Sequence, residues 1–196
     1  MSRKPALGCL LEIAETLVLT LVIFWVIQSF VAQPFKVQQV SMERTLEPDQ
    51  YVLVDKLTPR FDPYKRGDIV VFQPPENWTQ SDQPYIKRVV GIGGDTVELR
   101  DGSVFVNGTE LDEPYIFEED GAPQPTESFN GTERWVVPEG ELFLMGDHRG
   151  NSSDSREGGP VPIGNVVGRA WLRYWPIDTL EILPTPGHPE LATPGP

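Results

Sequence analysis

Residues 85–108 read YIKRVVGIGGDTVELRDGSVFVNG, and this stretch decides the fold. The runs at 86–92, 96–99 and 103–106 are short and rich in β-branched and aromatic residues, which fit a pleated, half-buried surface. Asp101-Gly102 separates the second run from the third, and Asn107-Gly108 ends the third. Both dipeptides favour the two left-handed residues that a tight hairpin turn requires. Period-2 alternation puts Tyr85, Lys87 and Val89 on one face and Ile86, Arg88 and Val90 on the other, so Lys87 can point into an apolar environment.

The same pattern recurs on both sides. Residues 51–54, 68–72, 135–137, 142–145 and 166–174 read as further strands between turn residues, and no amphipathic helix interrupts them. The expected class is mainly β: a single N-terminal transmembrane helix followed by an all-β, barrel-like domain assembled from hairpins.

The helix is expected because residues 16–35 are uncharged. Twenty residues at about 1.5 Å each span roughly 30 Å, the thickness of the hydrocarbon core. Arg3 and Lys4 precede this run, with Glu12 and Glu15, and Lys36, Glu47 and Asp49 follow it. Acidic residues count little in the positive-inside tendency, so the N-terminus is expected in the cytoplasm and the rest of the chain outside it. A cleaved secretory leader is the competing reading. Cleavage after Ala32 would place bulky Phe30 at the third position back, against the small-x-small requirement, and a retained anchor fits better. The expected organisation is a short cytoplasmic segment at 1–15, a transmembrane helix at 16–35, an extracytoplasmic domain at 36–183 and a Pro-rich disordered tail at 184–196, where five of thirteen residues are proline.

Charge excludes some functions. The net charge of −13 is concentrated at 110–133, which holds eight acidic residues and no basic one. Nucleic acid is not an expected partner, since phosphate binding needs clustered Lys and Arg. With Gly121, Pro123 and Pro125 inside it, this stretch reads as a solvated excursion. One cysteine, Cys9, permits no internal disulfide, and two histidines with one cysteine make no zinc cluster. Residues 147–158 superficially suggest a calcium loop, but Arg149 sits at a ligand position and Gly158 where the bidentate glutamate belongs. GIGGD at 91–95 lacks the Gly-Lys-Ser/Thr of a phosphate loop. No metal or cofactor is indicated.

The chemistry rests on a serine and a lysine. Burial of Lys87 would favour a neutral amine able to take a proton, and a serine hydroxyl needs such a base to become a nucleophile. Four segments in fixed order support that pairing: VSMERTL at 40–46, RGDIVVF at 66–72, YIKRVVGIGGDTV at 85–97 and GDHRGNSSDSR at 146–156. Together, behind an apolar segment, they resemble the sequence boxes of type I signal peptidases, membrane-anchored serine-lysine proteases that remove signal peptides from exported preproteins.

The resemblance implies Ser41 as nucleophile, Lys87 as general base and an acyl-enzyme cleaved after small residues in Ala-x-Ala type sites. It implies that Met42 helps hold the serine loop, that Ser152 hydrogen-bonds the lysine amine, and that Asp154 and Arg156 pair to fix the loop carrying Ser152. It implies secretory preproteins as substrates, a lipid bilayer as surroundings and proximity to the export translocon. Three residues depart from the family pattern. Arg44 stands where proline is usual, so the turn after the nucleophile loses a fixed φ. His148 replaces asparagine, a structural substitution. Gln39 occupies a position where some members place a hydroxyl in the oxyanion hole, and its amide is the expected substitute donor. Trp78 has two readings, an interfacial anchor or local packing. Two rival classes are a related protease with a narrow client and an idle peptide-binding β-domain; retention of both Ser41 and Lys87 in their motifs argues against the second.

Overall fold

The computed structural model describes residues 4–76, 78 and 83–191. Helix α1 spans Lys4–Phe30, and β1 (Ala32–Lys36) follows it after one residue. The remaining strands are β2 (Tyr51–Asp55), β3 (Ile69–Phe72), β4 (Tyr85–Ile92), β5 (Thr96–Arg100), β6 (Ser103–Val106), β7 (Thr109–Glu110), β8 (Glu118–Glu119), β9 (Ala122–Pro123), β10 (Arg134–Val136), β11 (Glu141–Met145), β12 (Val161–Pro162), β13 (Val166–Trp175) and β14 (Glu181–Ile182). The eight strands run in the order β1-β2-β13-β3-β4-β11-β12, with β14 beside β13, and make a large antiparallel sheet. Strands β10-β5-β6-β7 form a second sheet, and β8-β9 a small hairpin.

The strands expected from the sequence all form. Asp101 and Gly102 both take positive φ between the paired Arg100 and Ser103, and Asn107 and Gly108 do the same between Val106 and Thr109. These are the two-residue turns that Asp-Gly and Asn-Gly favour, because left-handed residues match the strand twist. Strand β3 is buried along its whole length and lies between β13 and β4, so neither of its faces meets water.

Side chains fill the core on three fronts. Met42 and Leu46, just after Ser41, pack with Val52, Val54 and Val71. Val70, Phe72, Val89 and Leu144 form a second group, and Val97, Val106 and Phe143 belong to a third, beneath the smaller sheet. At about 25 cal/mol per Å² of apolar area, each fully buried Val or Leu contributes roughly 1.5–3 kcal/mol.

Four expectations need correction. The helix stops at Phe30, and residues 32–36 pair with Asp55 to Tyr51 as the edge strand β1. Pro34, which lacks an N–H, suits an edge and not a helix interior. The apolar helical segment is therefore Gly8–Phe30, 23 residues, in place of 16–35. It is exposed along its length, and the helix runs through most of the segment read as a cytoplasmic end; Arg3 lies outside the described residues. The Pro-rich end is packed over 184–191: Thr185 donates to Asp68, Pro186 crowds Gly67, and Leu191 joins the third core group. Residues 192–196 of the expected tail lie outside the described residues. Finally, the acidic stretch is anchored, with Leu111, Tyr115 and Ile116 buried and Glu113 bound to Arg149. Trp78 packs edge-on against Phe72, which settles it as local packing.

Candidate active site

Ser41 sits in a single 3-10 turn, Val40–Met42, with its side chain buried at the mouth of a groove. Lys87, from the middle of β4, is fully buried, and its Nζ donates to Ser41 Oγ at 2.6 Å. It also donates to the carbonyl of Ile86 at 3.2 Å. Burial lowers the Lys87 pKa to about 8, and Asp154 and Asp147 only partly oppose that effect. A lysine in this state is neutral over an accessible pH range and can accept the serine proton.

Three arginine-carboxylate pairs, all deeply buried, lie around Ser41 and Lys87. Arg88 holds Asp147 through Nε and Nη2 at 2.8 and 2.7 Å, and Thr45, four residues after Ser41, donates to the same carboxylate at 2.5 Å. Arg149 pairs with Glu113 and also bonds Thr126 Oγ1 and the Gly146 carbonyl. Arg156 pairs with Asp154, which additionally accepts from Gly146 N, Arg156 N and Ser152 Oγ. Burial alone would raise the Asp154 pKa; the Arg156 bonds, the Ser152 hydroxyl and the Gly146 N–H outweigh it and hold the carboxyl below its ordinary value. Such pairs persist in an apolar interior only when every remaining lone pair and proton is satisfied.

The resemblance placed Ser152 on the lysine amine, whereas here its hydroxyl donates to Asp154 at 2.7 Å. Donation to that carboxylate leaves the hydroxyl oxygen able to accept from a lysine N–H. Ser152 lies next to Ser41, since a Cβ on Gly146 would sit 2.3 Å from Ser152 Oγ and 2.5 Å from the Ser41 carbonyl. Glycine is required there for close approach of the two loops. Met42 is fully buried in the core below Ser41.

The remaining departures are also located. Gln39 lines the groove at Ser41 together with Gln38 and Tyr85. His148 is tied by Nδ1 to Glu43 at 2.6 Å and stacks on Phe117, which fits a structural role. Arg44 takes φ +80, unreachable for proline, and is held by the Ile116 carbonyl and Glu118, so the turn is fixed by other means. The Arg88–Asp147 and Arg149–Glu113 pairs were not singled out from the sequence; RG and HR dipeptides carry no periodic signal that distinguishes a buried arginine from a solvated one.

A pocket of about 210 Å³ has Phe35, Val52, Val71 and Ile86 as apolar lining and adjoins the groove at Ser41 through Gln38, Gln39 and Tyr85, which line both. Over residues 10–175 the chain matches the family model described as signal peptidase, peptidase S26.

The chain belongs to this family.

It is 38% identical over 192 residues to signal peptidase I of Leptolyngbya laminosa, covering 95% of this chain and 91% of that one. It is 32% identical over 188 residues to signal peptidase I S of Bacillus subtilis, covering 92% and 96%. Among solved structures, the signal peptidase I of Enterococcus faecalis shows 32% identity with a TM-score of 0.41, over 54% of this chain and 95% of that one. As a signal peptidase the chain is a peptide-bond hydrolase that acts on exported preproteins, and its N-terminal apolar helix suggests membrane association.

Proposed function

We propose that this signal peptidase cleaves with Ser41 as nucleophile and Lys87 as general base, through an acyl-enzyme. The 2.6 Å contact between Lys87 Nζ and Ser41 Oγ, inside a buried pocket that depresses the lysine pKa, carries the reading. Oγ attacks the scissile carbonyl carbon while its proton passes to Lys87, giving a tetrahedral oxyanion and an ammonium. Collapse expels the amine of the mature protein, which takes that proton, and leaves an ester on Ser41. Lys87, neutral again, then takes a proton from the water that hydrolyses the ester. The Ser41 main-chain N–H and the Gln39 amide supply the oxyanion donors, each worth roughly 3 kcal/mol in comparable sites.

Substrate geometry follows from the sheet. Strand β11 pairs with β4 only from Arg88 to Ile92, so among the described residues Tyr85 to Lys87 have no strand neighbour on that edge. An extended preprotein adds there, and its side chains one and three positions before the cut share a face and point at the pocket floor. A pocket this small supports small residues at both positions. Met42, Ser152, Asp154 and Arg156 act as supports, through the core and through the loop that adjoins Ser41. The N-terminus faces the cytoplasm, α1 crosses the membrane, and the β-domain works outside, close to where the translocon delivers signal sequences.

The test is cleavage of a preprotein with an Ala-x-Ala site by the full-length protein in detergent. Cleavage by wild type, abolished by both Ser41→Ala and Lys87→Ala, supports the dyad; activity surviving Lys87→Ala shows another base.

A further inference from the structure

Ser41 has no long helix or strand to hold it. It lies in one 3-10 turn that runs directly into a second turn, Met42 to Thr45, closed by the Thr45 N–H on the Met42 carbonyl at 3.1 Å. Glu43 (φ −50, ψ 148) and Arg44 (φ +80) give that second turn the type II pattern, with a non-glycine residue at the left-handed position. A misplacement of about 1 Å at a nucleophile can cost on the order of 10²-fold in rate, so the position of this loop must be set by cross-links.

The cross-links come from two neighbouring segments, the loop at His148 and residues 116–118. The His148 N–H donates to the Ser41 carbonyl at 3.1 Å, and the His148 imidazole bonds Glu43 Oε2 through Nδ1 at 2.6 Å. The other side of that ring is stacked on Phe117, with centroids 4.1 Å apart and planes 14° from parallel. Arg44 reaches the same segment, donating to the Ile116 carbonyl at 2.6 Å and pairing with Glu118 at 2.7 Å. The carboxylate of Glu43 accepts only, so Nδ1 carries the proton in this contact.

We infer that Glu43 and His148, backed by Phe117, form a clamp that sets the reach of Ser41 toward the scissile carbonyl. They are positioning residues, acting through Ser41 and touching no reacting atom. The inference rests on Ser41 being the nucleophile, and it gives the segment at 116–118 a role in catalysis.

The experiment measures kcat and KM on an Ala-x-Ala peptide with full-length protein in detergent, for wild type, Glu43→Ala, His148→Leu, the double variant and His148→Asn. Amide hydrogen exchange over residues 41–46 is followed in parallel. Each single substitution is expected to lower kcat about tenfold with KM unchanged, and the double variant to fall no further, as for two residues acting as one unit. His148→Asn, whose amide N–H takes the place of Nδ1–H, is expected to restore most of kcat. Exchange over 41–46 speeds up in both single variants. Unchanged kcat in the single variants, additive losses, or a raised KM at constant kcat would each overturn the clamp. If His148→Leu fails to fold, Glu43→Leu, which removes the acceptor at similar size, carries the same test. A wild type inactive on the peptide defeats the nucleophile assignment alone, and unaltered exchange over 41–46 then separately defeats the clamp.

Discussion

Lys87 is protonated at ordinary pH in the unfolded chain, and burial lowers its pKa to about 8 from an ordinary 10.5. Two outcomes follow. The rising limb of kcat/KM against pH is expected to have its midpoint near 8, as the ammonium is lost, and a flat profile from pH 6 to 9 would remove Lys87 as the base. For stability, the folded pKa lies below the unfolded one, so between about 8 and 10.5 the unfolded state binds more protons and stability rises with pH. Lys87→Met removes the buried ammonium: it should abolish cleavage yet raise unfolding free energy at pH 7 by ~1–3 kcal/mol, measured by urea denaturation in detergent. A destabilised Lys87→Met protein would show that the Ser41 contact outweighs the desolvation. At Gln39 the expected result is a loss of about 10²-fold in kcat for Gln39→Ala with little change in stability, and an unaltered kcat would leave the oxyanion to main-chain donors alone.

Among the elements, the loop from Gly146 to Arg156 is the least regular and the most constrained. Asp154 accepts from Ser152, from the Gly146 N–H and from Arg156, all without access to water. Arg156→Leu leaves that carboxylate buried and uncompensated, at an expected cost of roughly 3–5 kcal/mol in unfolding free energy. Because the Asp154 pKa is lowered on folding, its contribution is present above its unfolded pKa of 3.8 and is lost as pH falls through the folded value. Wild type should therefore lose stability below about pH 4 more steeply than Asp154→Asn does. Gly146→Ala is expected to reduce kcat, since the added carbon must displace either Ser152 Oγ or the Ser41 carbonyl; full activity in this variant would mean that the two loops separate without consequence. The hairpin turns at Asp101-Gly102 and Asn107-Gly108 were readable in advance because a left-handed pair is a local demand. The loop was not, because its conformation is fixed by partners far along the chain, such as Glu113, 36 positions from Arg149, and Glu127, 29 positions from Arg156.

At the scale of the whole molecule, α1 leads within one residue into the edge strand of the large sheet, so α1 seated in a bilayer, as proposed, would hold the β-domain close to the membrane surface. With the body outside, protease added to intact spheroplasts should digest the β-domain and spare α1, and the protein should resist carbonate extraction. Protection of the β-domain until the cells are lysed would reverse the orientation.

The sequence by itself determined the period-2 strands, the two tight turns, the apolar helix and, through the order of its boxes, the pairing of Ser41 with Lys87. These signals are local, because they reside in side-chain alternation, in backbone conformational preference and in unbroken apolarity. Tertiary structure alone decided where α1 gives way to β1, since the edge of β2 supplies hydrogen bonds to residues 32–36. It also decided that Ser152 donates to Asp154, that a supposed solvated stretch supplies Glu113 to a buried arginine, and that Arg44 bonds Ile116 and His148 bonds Glu43 beside Ser41. Except at Ser152, whose partner is two residues away, the deciding partner is remote in the chain. A buried charge takes whichever opposite charge the fold brings within reach, and no spacing in the sequence announces that choice.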